Sequence, residues 1–378
     1  TTRVVRQSSS EGYNVNGGRV PQRGYITDEL TDFTLDWLKA RKSGKPFFAY
    51  LSHKAVHSDF VAADRHQGRY AGKTIPLPKT FADTPENYFN KPMWVRNQRN
   101  SRHGVDFGYN LPAFDLQAYH RRYCETLLAV DDSVGRLTQW LAEHKLLDST
   151  LVVYMGDNGF QFVEHGLIDK RTAYEASMRV PLLLHCPELF KPGTIVTQMV
   201  ANIDLAPTFL EIAGAPKPTN LHGRSFFKVG QTSSLSSIVP SPASAASAKA
   251  KKSQKSGGTP DLLWRDALLY EYYWERNYPY TPTMHAVRTD RWKYIRYHGL
   301  WDVDELYDLA ADPDEVRNLI QDPAHAATVK QLNTRLFELL AETQGQAMPL
   351  LRDLGETFPT RKQGKAKPAE FPAPLLKP

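Results

Sequence analysis

The chain has 378 residues, of which 41% are hydrophobic, and this is enough for one large domain and one small domain. Its two cysteines exclude a disulfide framework, and it contains no run of eighteen apolar residues that would predict a membrane span. Part of the net charge of +6 lies in low-complexity stretches at 248–257 and 361–377. Because no basic-aromatic motif accompanies them, we predict solvated segments and no nucleic-acid partner.

The first part of the chain predicts two helices and one strand. Apolar residues recur at helical spacing over 27–41, where Thr27 can cap the helix. PFFAYLS at 46–52 is predicted to be a short apolar strand, and residues 60–112, which have little periodicity and carry prolines at 76, 78, 85 and 92, to be long loops. A second, longer helix is predicted over 115–144, because its apolar positions step by three and four.

The middle of the chain predicts two more strands and a helix. LVVYM at 151–155 reads as a buried parallel strand, and VPLLLHC at 180–186 as another buried strand. A helix is expected at 202–214 with Asp204 as its cap. Residues 228–262 are rich in Ser, Ala, Lys and Pro and cannot bury much surface, so we predict a disordered insertion.

These elements predict an α/β fold. Residues 1–227 are expected to form a mixed, mostly parallel central sheet flanked by helices. Residues 263–345 show strand-like alternation followed by a closing helix at about 325–343, which predicts a smaller C-terminal subdomain with an antiparallel sheet. Residues 346–378 are rich in Pro and Lys and are expected to form a loose tail.

The segment most informative about function is GDNGFQFVEHGLIDKRTAYEASMR at 156–179. Asp157 and Asn158 directly follow a predicted strand, and ligands bind at the carboxyl ends of strands in open α/β sheets. Their oxygens suit Ca²⁺ or Mg²⁺ better than Zn²⁺. Lys170 lies thirteen residues after Asp157 and can return to face a bound anion. The alternative is a turn with glycines at positive φ and polar surface residues.

This segment resembles the sulfatase family, whose members carry G-D-N-G, E-H-G-L, a lysine and Y-E-x-S-x-R-V-P in this order. In this chain the four motifs are 156–159, 164–167, Lys170 and 174–181. Further similar stretches occur at 24–60, 123–141 and 288–319, and the likeness covers roughly 15–227 and 264–345. The resemblance implies the alkaline-phosphatase-like fold and hydrolysis of sulfuric esters.

The resemblance also implies a nucleophile that this chain does not contain. Sulfatases carry C-x-P-S-R or S-x-P-S-R, whose Cys or Ser becomes formylglycine, whereas neither Cys124 nor Cys186 is followed by x-P-S-R. The family's early Asp-Asp metal pair and its G-K-W-H segment are missing too. We therefore expect the C-terminal two thirds of a sulfatase, which is inactive alone, with formylglycine in a missing N-terminal part.

The residues that remain suggest a division of roles. By resemblance, Asp157 and Asn158 hold a metal, with Ca²⁺ expected before Mg²⁺, and Lys170 pairs with sulfate oxygens as a point charge. His57 is expected to act as the acid, because imidazole titrates near neutrality and can donate to a leaving oxygen. Two roles stay open for His165, either near the sulfate or in a structural arrangement in which Glu164 fixes the imidazole.

Substrate specificity is expected to lie in the C-terminal part. His285 follows the tyrosine-rich stretch YEYYWERNYPY, and aromatic residues with one imidazole can form a platform for a sugar. The alternative is that most of these aromatics form the core of the small sheet. Residues 269–312 resemble those of carbohydrate sulfatases of the glycosaminoglycan or N-acetylglucosamine-6-sulfate type, which implies a sulfated carbohydrate substrate and a periplasmic or secreted location.

Two other functions compete with this interpretation. A phosphodiesterase or phosphonate hydrolase of the same superfamily would share the fold and the metal Asp. It would usually bring histidine ligands in a pattern such as D-H-G, where this chain has GDNG at 156–159. The third hypothesis, from another class, is a non-catalytic glycan-binding remnant.

Overall fold

The computed structural model describes residues 5–7, 12–42, 44–58, 60–99, 115–232, 264–275, 278–299 and 301–346. The strands are β1 (Val5–Gln7), β2 (Tyr13–Val15), β3 (Gly18–Val20), β4 (Val152–Met155), β5 (Leu182–His185), β6 (Ala267–Tyr272), β7 (Thr283–Thr289), β8 (Trp292–His298) and β9 (Glu305–Asp308). The helices are α1 (Ile26–Ala40), α2 (Met93–Asn97), α3 (Leu116–Glu143), α4 (Glu175–Met178), α5 (Leu205–Ile212), α6 (Phe227–Thr232) and α7 (Ala326–Glu342).

The two long helices of the first part are confirmed. Helices α1 and α3 pack against each other and bury Leu35, Leu38, Trp140 and Leu141 between them. Asp115 caps α3 by accepting a hydrogen bond from a backbone amide. The predicted cap of α1 is wrong, because Tyr25 occupies that position and Thr27 lies fully buried in the first turn.

The strand predicted at 46–52 is not formed. This segment has an irregular backbone, and its apolar side chains Phe48 and Tyr50 are 68% and 85% exposed. A strand needs a neighbour for its backbone hydrogen bonds, and none of the strands within the described ranges pairs with this segment. The apolar composition of this segment is typical of a strand, but composition alone does not provide the neighbouring strand that it needs.

The strand that precedes the GDNG turn is formed, but its predicted surroundings are wrong. Strand β4 pairs with β5 in antiparallel register, with Val152 opposite His185, and its residues are half-buried. A parallel pair would need a crossover connection that returns the chain to the same end of the sheet. The segment between β4 and β5 instead stays at one end of the sheet, so β5 runs back in the opposite direction. Every strand pair within the described ranges is antiparallel, so the mostly parallel sheet is not found there.

The α/β class with a C-terminal antiparallel sheet is confirmed. Strands β6, β7, β8 and β9 form a four-stranded antiparallel sheet in this order. Helix α7 covers one face of this sheet, where Leu332, Leu336 and Leu340 pack against Val287 and Leu306. The other face packs against the first part of the chain through Trp94, Leu167 and Tyr174. The small sheet therefore supports the segment that carries the functional motifs.

Several predictions lie at the edges of the described residues. Residues 233–262 of the predicted insertion and 347–378 of the predicted tail fall outside them. The predicted start of the insertion at 228 is wrong, because residues 228–232 form all of α6 except Phe227. Asp204 stands at the start of α5, but its carboxylate accepts hydrogen bonds from Ala201, Arg224 and Arg265 rather than capping the helix. Within the described ranges no helix is both long enough and apolar enough to cross a membrane.

Candidate active site

The GDNG turn presents two polar side chains to solvent at the end of β4. Asp157 and Asn158 are both exposed. One carboxylate oxygen of Asp157 accepts a hydrogen bond from the backbone amide of Asn158 at 2.8 Å. The side-chain amide nitrogen of Asn158 donates to the carbonyl of Gly159 at 2.7 Å, which leaves the amide oxygen as its acceptor. The turn therefore exposes a carboxylate and an amide oxygen on two adjacent residues.

The turn packs closely against residues 169–177, the segment that contains Lys170. The amide of Gly159 donates to the carbonyl of Ser177 at 2.8 Å, and the amide of Gln161 donates to the carbonyl of Asp169 at 2.7 Å. A Cβ atom on Gly159 would lie 2.0 Å from the carbonyl oxygen of Ala176. Only glycine therefore allows the backbone to approach this closely.

A buried hydrogen-bond network fixes the same contact from the side chains. The fully buried amide oxygen of Gln161 accepts hydrogen bonds from the hydroxyls of Thr172 and Ser177, at 3.0 and 3.2 Å. These two hydroxyls also lie 2.9 Å from each other. The network joins the Asp157 side of the loop to the Lys170 side, although these three residues were not singled out from the sequence. The sequence signal that could have identified them is that they are uncharged polar residues within the motif segment 156–179.

Lys170 lies between Asp169 and Arg171, which form an ion pair with each other. Asp169 is buried, and its Oδ1 accepts from the backbone amide of Lys170 at 2.6 Å and from Nη1 of Arg171 at 3.0 Å. Arg171 continues to Glu275, whose carboxylate lies 3.2 Å from its Nε. The side chain of Lys170 is itself half-buried. The structure therefore places a lysine at a fixed backbone position that the hydrogen bonds above tie to the GDNG turn.

His165 is buried in the loop between the two motifs. Its backbone amide donates a hydrogen bond to the hydroxyl of Thr80, and its carbonyl accepts one from the hydroxyl of Tyr88. The imidazole lies against the ring of Tyr174, with 4.1 Å between ring centroids. Burial and the nearby charge of Lys91 hold the pKa of His165 well below its usual value. A buried neutral imidazole is suited to holding the loop, while contact with a sulfate stays a prediction.

His57 lies on an exposed loop that packs beside the GDNG segment. Its Nδ1 is 2.7 Å from the carbonyl oxygen of Ser58. Three residues further on, the ring of Phe60 contacts the rings of Phe160 and Phe162, which follow the GDNG turn. Together with Tyr119, these rings form one buried cluster. The structure therefore brings the loop of His57 and the loop of Asp157 together through an aromatic contact.

A buried charged network joins this region to the C-terminal sheet. Glu305 accepts hydrogen bonds from the hydroxyls of Tyr174, Tyr297 and Tyr307, and its carboxylate lies 3.9 Å from Nζ of Lys91. All five side chains are buried. In a second group, buried Lys293 pairs with half-buried Glu175 and buried Glu315, at 2.8 and 2.7 Å. These partners come from distant parts of the chain, so the motif residues Tyr174 and Glu175 are anchored in the small sheet.

His285 is buried within the C-terminal sheet instead of lying open to a ligand. It is on β7, is 2% exposed, and its Nδ1 is 2.8 Å from Nε2 of His298 on β8. Tyr273 lies on its other side, with the hydroxyl 3.4 Å from Nε2. Its role in substrate binding stays a prediction, and the position of the ring means that such a role would act through a neighbour.

The donor groups at the GDNG turn form an incomplete metal site. Among the residues that the structure describes, no group of three or more His, Cys, Asp and Glu side chains is placed to hold a metal. Asp157 and Asn158 nevertheless supply two hard oxygen donors, and no ion pair within the described ranges neutralises Asp157. Hard oxygen ligands fit Ca²⁺ or Mg²⁺. The turn therefore fits part of such a site, with the remaining ligands to come from elsewhere.

Comparison with known proteins identifies the family. The sulfatase family model matches residues 2–215, which is more than half of the chain. A second model, described as the C-terminal region of N-sulphoglucosamine sulphohydrolase, matches residues 244–342. A structure solved in complex with its substrate D-glucosamine-2-N,6-O-disulfate superimposes with a TM-score of 0.77 at 26% identity, and covers 91% of this chain and 76% of its own.

Curated relatives agree with these matches. An N-acetylglucosamine-6-O-sulfatase of Bacteroides thetaiotaomicron is 29% identical over 88% of this chain and 63% of its own length. An N-acetylglucosamine-6-sulfatase of Bos taurus is 30% identical over 83% of this chain and 55% of its own length. A phosphonate monoester hydrolase from Silicibacter pomeroyi, at 20% identity and a TM-score of 0.66, shares the fold. The chain thus spans less than two thirds of the curated relatives named here, and it belongs to the sulfatase family.

Proposed function

We propose that this chain carries the metal-binding and sulfate-binding part of a sulfuric ester hydrolase that acts on sulfated carbohydrate. The observation that carries the proposal is the contact between the GDNG turn and the segment of Lys170. Two backbone hydrogen bonds and the buried network of Gln161 support this contact. An acidic turn that is hydrogen-bonded to the segment of a lysine suits a cation and the anion bound to it. The named relatives favour an N-acetylglucosamine-6-sulfate type of substrate.

Hydrolysis of a sulfate ester requires a nucleophile, cations around the sulfate oxygens, an acid for the leaving alkoxide, and a metal. A bound Ca²⁺ would polarise and align the sulfate, and we assign Asp157 and Asn158 as two of its ligands, with Mg²⁺ as the less favoured ion. Lys170 would compensate the charge of the sulfate oxygens. Formylglycine would be the nucleophile by family resemblance, and its motif is absent from the printed sequence.

We assign the acid to His57 by its resemblance to the family's histidine, and its hydrogen bond indicates which ring nitrogen would donate. A carbonyl oxygen only accepts, so Nδ1 of His57, 2.7 Å from the carbonyl of Ser58, carries a hydrogen. Nε2 is then the nitrogen that gains a proton when the imidazole becomes charged. From that charged form, Nε2 would donate a proton to a leaving oxygen.

The two cysteines support the proposal that this chain alone does not turn over substrate. Cys186 is buried and its Sγ donates to the carbonyl of Asp148, while Cys124 is half-buried in α3. Burial raises the pKa of both thiols. A thiol with a raised pKa is a poor nucleophile, because the thiolate is the reactive form. Turnover of an aryl sulfate by the purified chain with Ca²⁺ would contradict this part of the proposal.

Calorimetric titration of Ca²⁺ tests the metal assignment. We expect weak binding by the parent chain, with a Kd on the order of 10⁻³ M, because the ligand set is incomplete. Asp157→Ala should abolish the binding, whereas Lys170→Ala should keep it and lose the binding of inorganic sulfate in the presence of Ca²⁺. Asp36→Ala, which changes an exposed carboxylate on α1, is the matched control. Equal Ca²⁺ affinity of Asp157→Ala and the parent would refute the assignment.

NMR of the imidazole ring tests the assignment of His57 separately from the metal. We expect the ring nitrogens of His57, observed by NMR, to show hydrogen on Nδ1 and to shift when sulfate and Ca²⁺ are added together. Lys170→Ala should remove this shift, because it removes the cation that holds the sulfate beside the loop. If sulfate binds and the His57 signals do not move, the acid is a different residue.

A further inference from the structure

A cavity of about 280 Å³ lies at the end of β8, beside His298. Two aromatic side chains, Trp274 and Tyr280, line it and are each about half exposed, at 47% and 48%. Pro282 and Thr283 complete the wall next to them. Ligand pockets in proteins span roughly 300–1,000 Å³. This cavity is therefore of a size for one small ring.

Hydrogen bonds hold the aromatic wall in place, and Trp274 and Tyr280 both stay about half exposed. The indole nitrogen of Trp274 donates to the carbonyl of Pro279 at 3.1 Å, and its backbone amide donates to the hydroxyl of Thr283 at 2.9 Å. The carbonyl of Tyr280 accepts from the side-chain amide of Gln98. The polar edge of the indole is therefore occupied within the protein. A fixed aromatic ring offers contact area at a low cost in conformational entropy.

The same wall is connected to the segment of Lys170. The guanidinium of Arg171, the next residue in the chain, lies over the ring of Tyr278, and its Nε is 3.2 Å from the carboxylate of Glu275. Both contacts lie between Trp274 and Tyr280 in sequence. The loop that carries the aromatic wall is thus in contact with Arg171, the residue that follows Lys170.

A chain of hydrogen bonds determines which atom of His298 can meet a ligand. The hydroxyl of Tyr273 donates to the carboxylate of Glu271 at 2.8 Å, so its oxygen is free to accept from Nε2 of His285. Nδ1 of His285 then bears no hydrogen and accepts from Nε2 of His298 at 2.8 Å. Nδ1 of His298 is left as an acceptor. Burial lowers the pKa of both imidazoles, in agreement with this neutral arrangement.

We propose that this cavity is a subsite for a neutral sugar ring, which stacks on Trp274 and Tyr280 and donates a hydroxyl hydrogen bond to Nδ1 of His298. The site offers an acceptor backed by the carboxylate of Glu271, so it disfavours a sulfate group at this position and selects the unsulfated face of a sugar. His285 then acts as a positioning residue that sets the tautomer of His298. The choice of N-acetylglucosamine as the sugar rests on the proposed function.

Binding of an unsulfated sugar to the whole chain tests the subsite. Methyl β-N-acetylglucosaminide is titrated while the ring nitrogens of His298 are followed by NMR and the tryptophan fluorescence is recorded. We expect saturable changes in both signals, with a Kd on the order of 10⁻³ M (a binding free energy of about −4 kcal/mol). Trp274→Ala and His298→Ala should each weaken binding about tenfold or more. Trp301→Ala, which removes an exposed tryptophan outside the cavity, should bind like the parent.

The outcomes separate this inference from the proposed function. Sugar binding that persists when Asp157→Ala has lost Ca²⁺ supports the subsite on its own, and sugar binding equal in the parent, Trp274→Ala and His298→Ala overturns it. Competition by inorganic sulfate at the same site would also overturn it, since the subsite is built for a hydroxyl. If Trp274→Ala does not fold, the signals of His298 in the parent still decide, because a ring that does not respond to the sugar contradicts the hydrogen bond.

Discussion

Replacing Glu305 with glutamine tests the buried network that joins the motif segment to the C-terminal sheet. Its carboxylate accepts from the hydroxyls of Tyr174, Tyr297 and Tyr307 and lies 3.9 Å from Nζ of Lys91. Glu305→Gln keeps one acceptor oxygen for the hydroxyls. It removes the negative charge and places a donor group among other donors.

The expected cost follows from the burial of the pair. Breaking a buried ion pair by changing one partner costs roughly 3–5 kcal/mol, because the other charge is left without compensation. Nζ of Lys91 also donates to the carbonyl of Glu315 and to the hydroxyl of Tyr307, both at 2.7 Å. These hydrogen bonds remain in the variant and reduce the loss of stability. We therefore expect the free energy of unfolding to decrease by about 3 kcal/mol, at the lower end of the range for such pairs.

Urea unfolding followed by tryptophan fluorescence measures this change. The matched control is Glu338→Gln on the exposed side of α7, which should change the free energy of unfolding by less than about 0.5 kcal/mol. The double variant Lys91→Met with Glu305→Gln removes both charges and keeps an acceptor for the tyrosines. It should be about 1–3 kcal/mol more stable than the sum of the single losses predicts.

Two results would refute this reasoning. If Glu305→Gln unfolds at the same urea concentration as the parent, the buried carboxylate does not hold the interface. If the losses of Lys91→Met and Glu305→Gln simply add in the double variant, the two charges are not coupled despite their distance.

Three further predictions concern the loop around the site. Gln161→Leu should lower the free energy of unfolding by about 1–3 kcal/mol, because it removes the acceptor that two buried hydroxyls share, and only one of them can then donate to the other; an unchanged urea midpoint would contradict this. Gly159→Ala should destabilise by at least about 1–3 kcal/mol, since its Cβ would meet a backbone carbonyl at 2.0 Å. Gly135→Ala in α3, where the Cβ meets nothing within 4 Å, should stabilise by about 0.5–1 kcal/mol, and thermal unfolding compares the two. Burial lowers the pKa of His165, so the unfolded chain binds more protons than the folded one below about pH 6.5, and stability should fall as the pH decreases from there. His165→Phe should flatten this dependence in urea titrations at pH 5 to 7, and an unchanged slope would show that the imidazole is not responsible.

The pattern of the sequence was sufficient for the elements whose signal is local. Helices α1 and α3 each present an apolar stripe at helical spacing, and their ends fall within one or two residues of the predicted ends. The C-terminal strands show alternation, and helix α7 follows them as expected. The motif residues Asp157, Asn158 and Lys170 also fall on neighbouring segments, because the short spacing between them limits where the loop can return.

The wrong predictions concern features that depend on contacts with distant parts of the chain. The apolar stretch with Phe48 and Tyr50 reads as a strand, but a strand forms only when another backbone lies beside it. Thr27 is a good capping residue by type, yet tertiary packing buries it in the first turn and leaves the cap position to Tyr25. Alternation and composition describe one segment at a time, and they contain no information on which partner it meets.

By itself, the sequence determined the family, the helices with periodic apolar faces and the chemical character of the GDNG turn. Only the tertiary structure decided that β5 runs antiparallel to β4, that His165 and His285 are buried, and that Lys91 meets Tyr307 across 216 residues. The physical reason is that periodicity is a property of neighbours along the chain. Burial and hydrogen-bond partners instead depend on which distant surfaces exclude water together, and this is settled only when the whole chain packs.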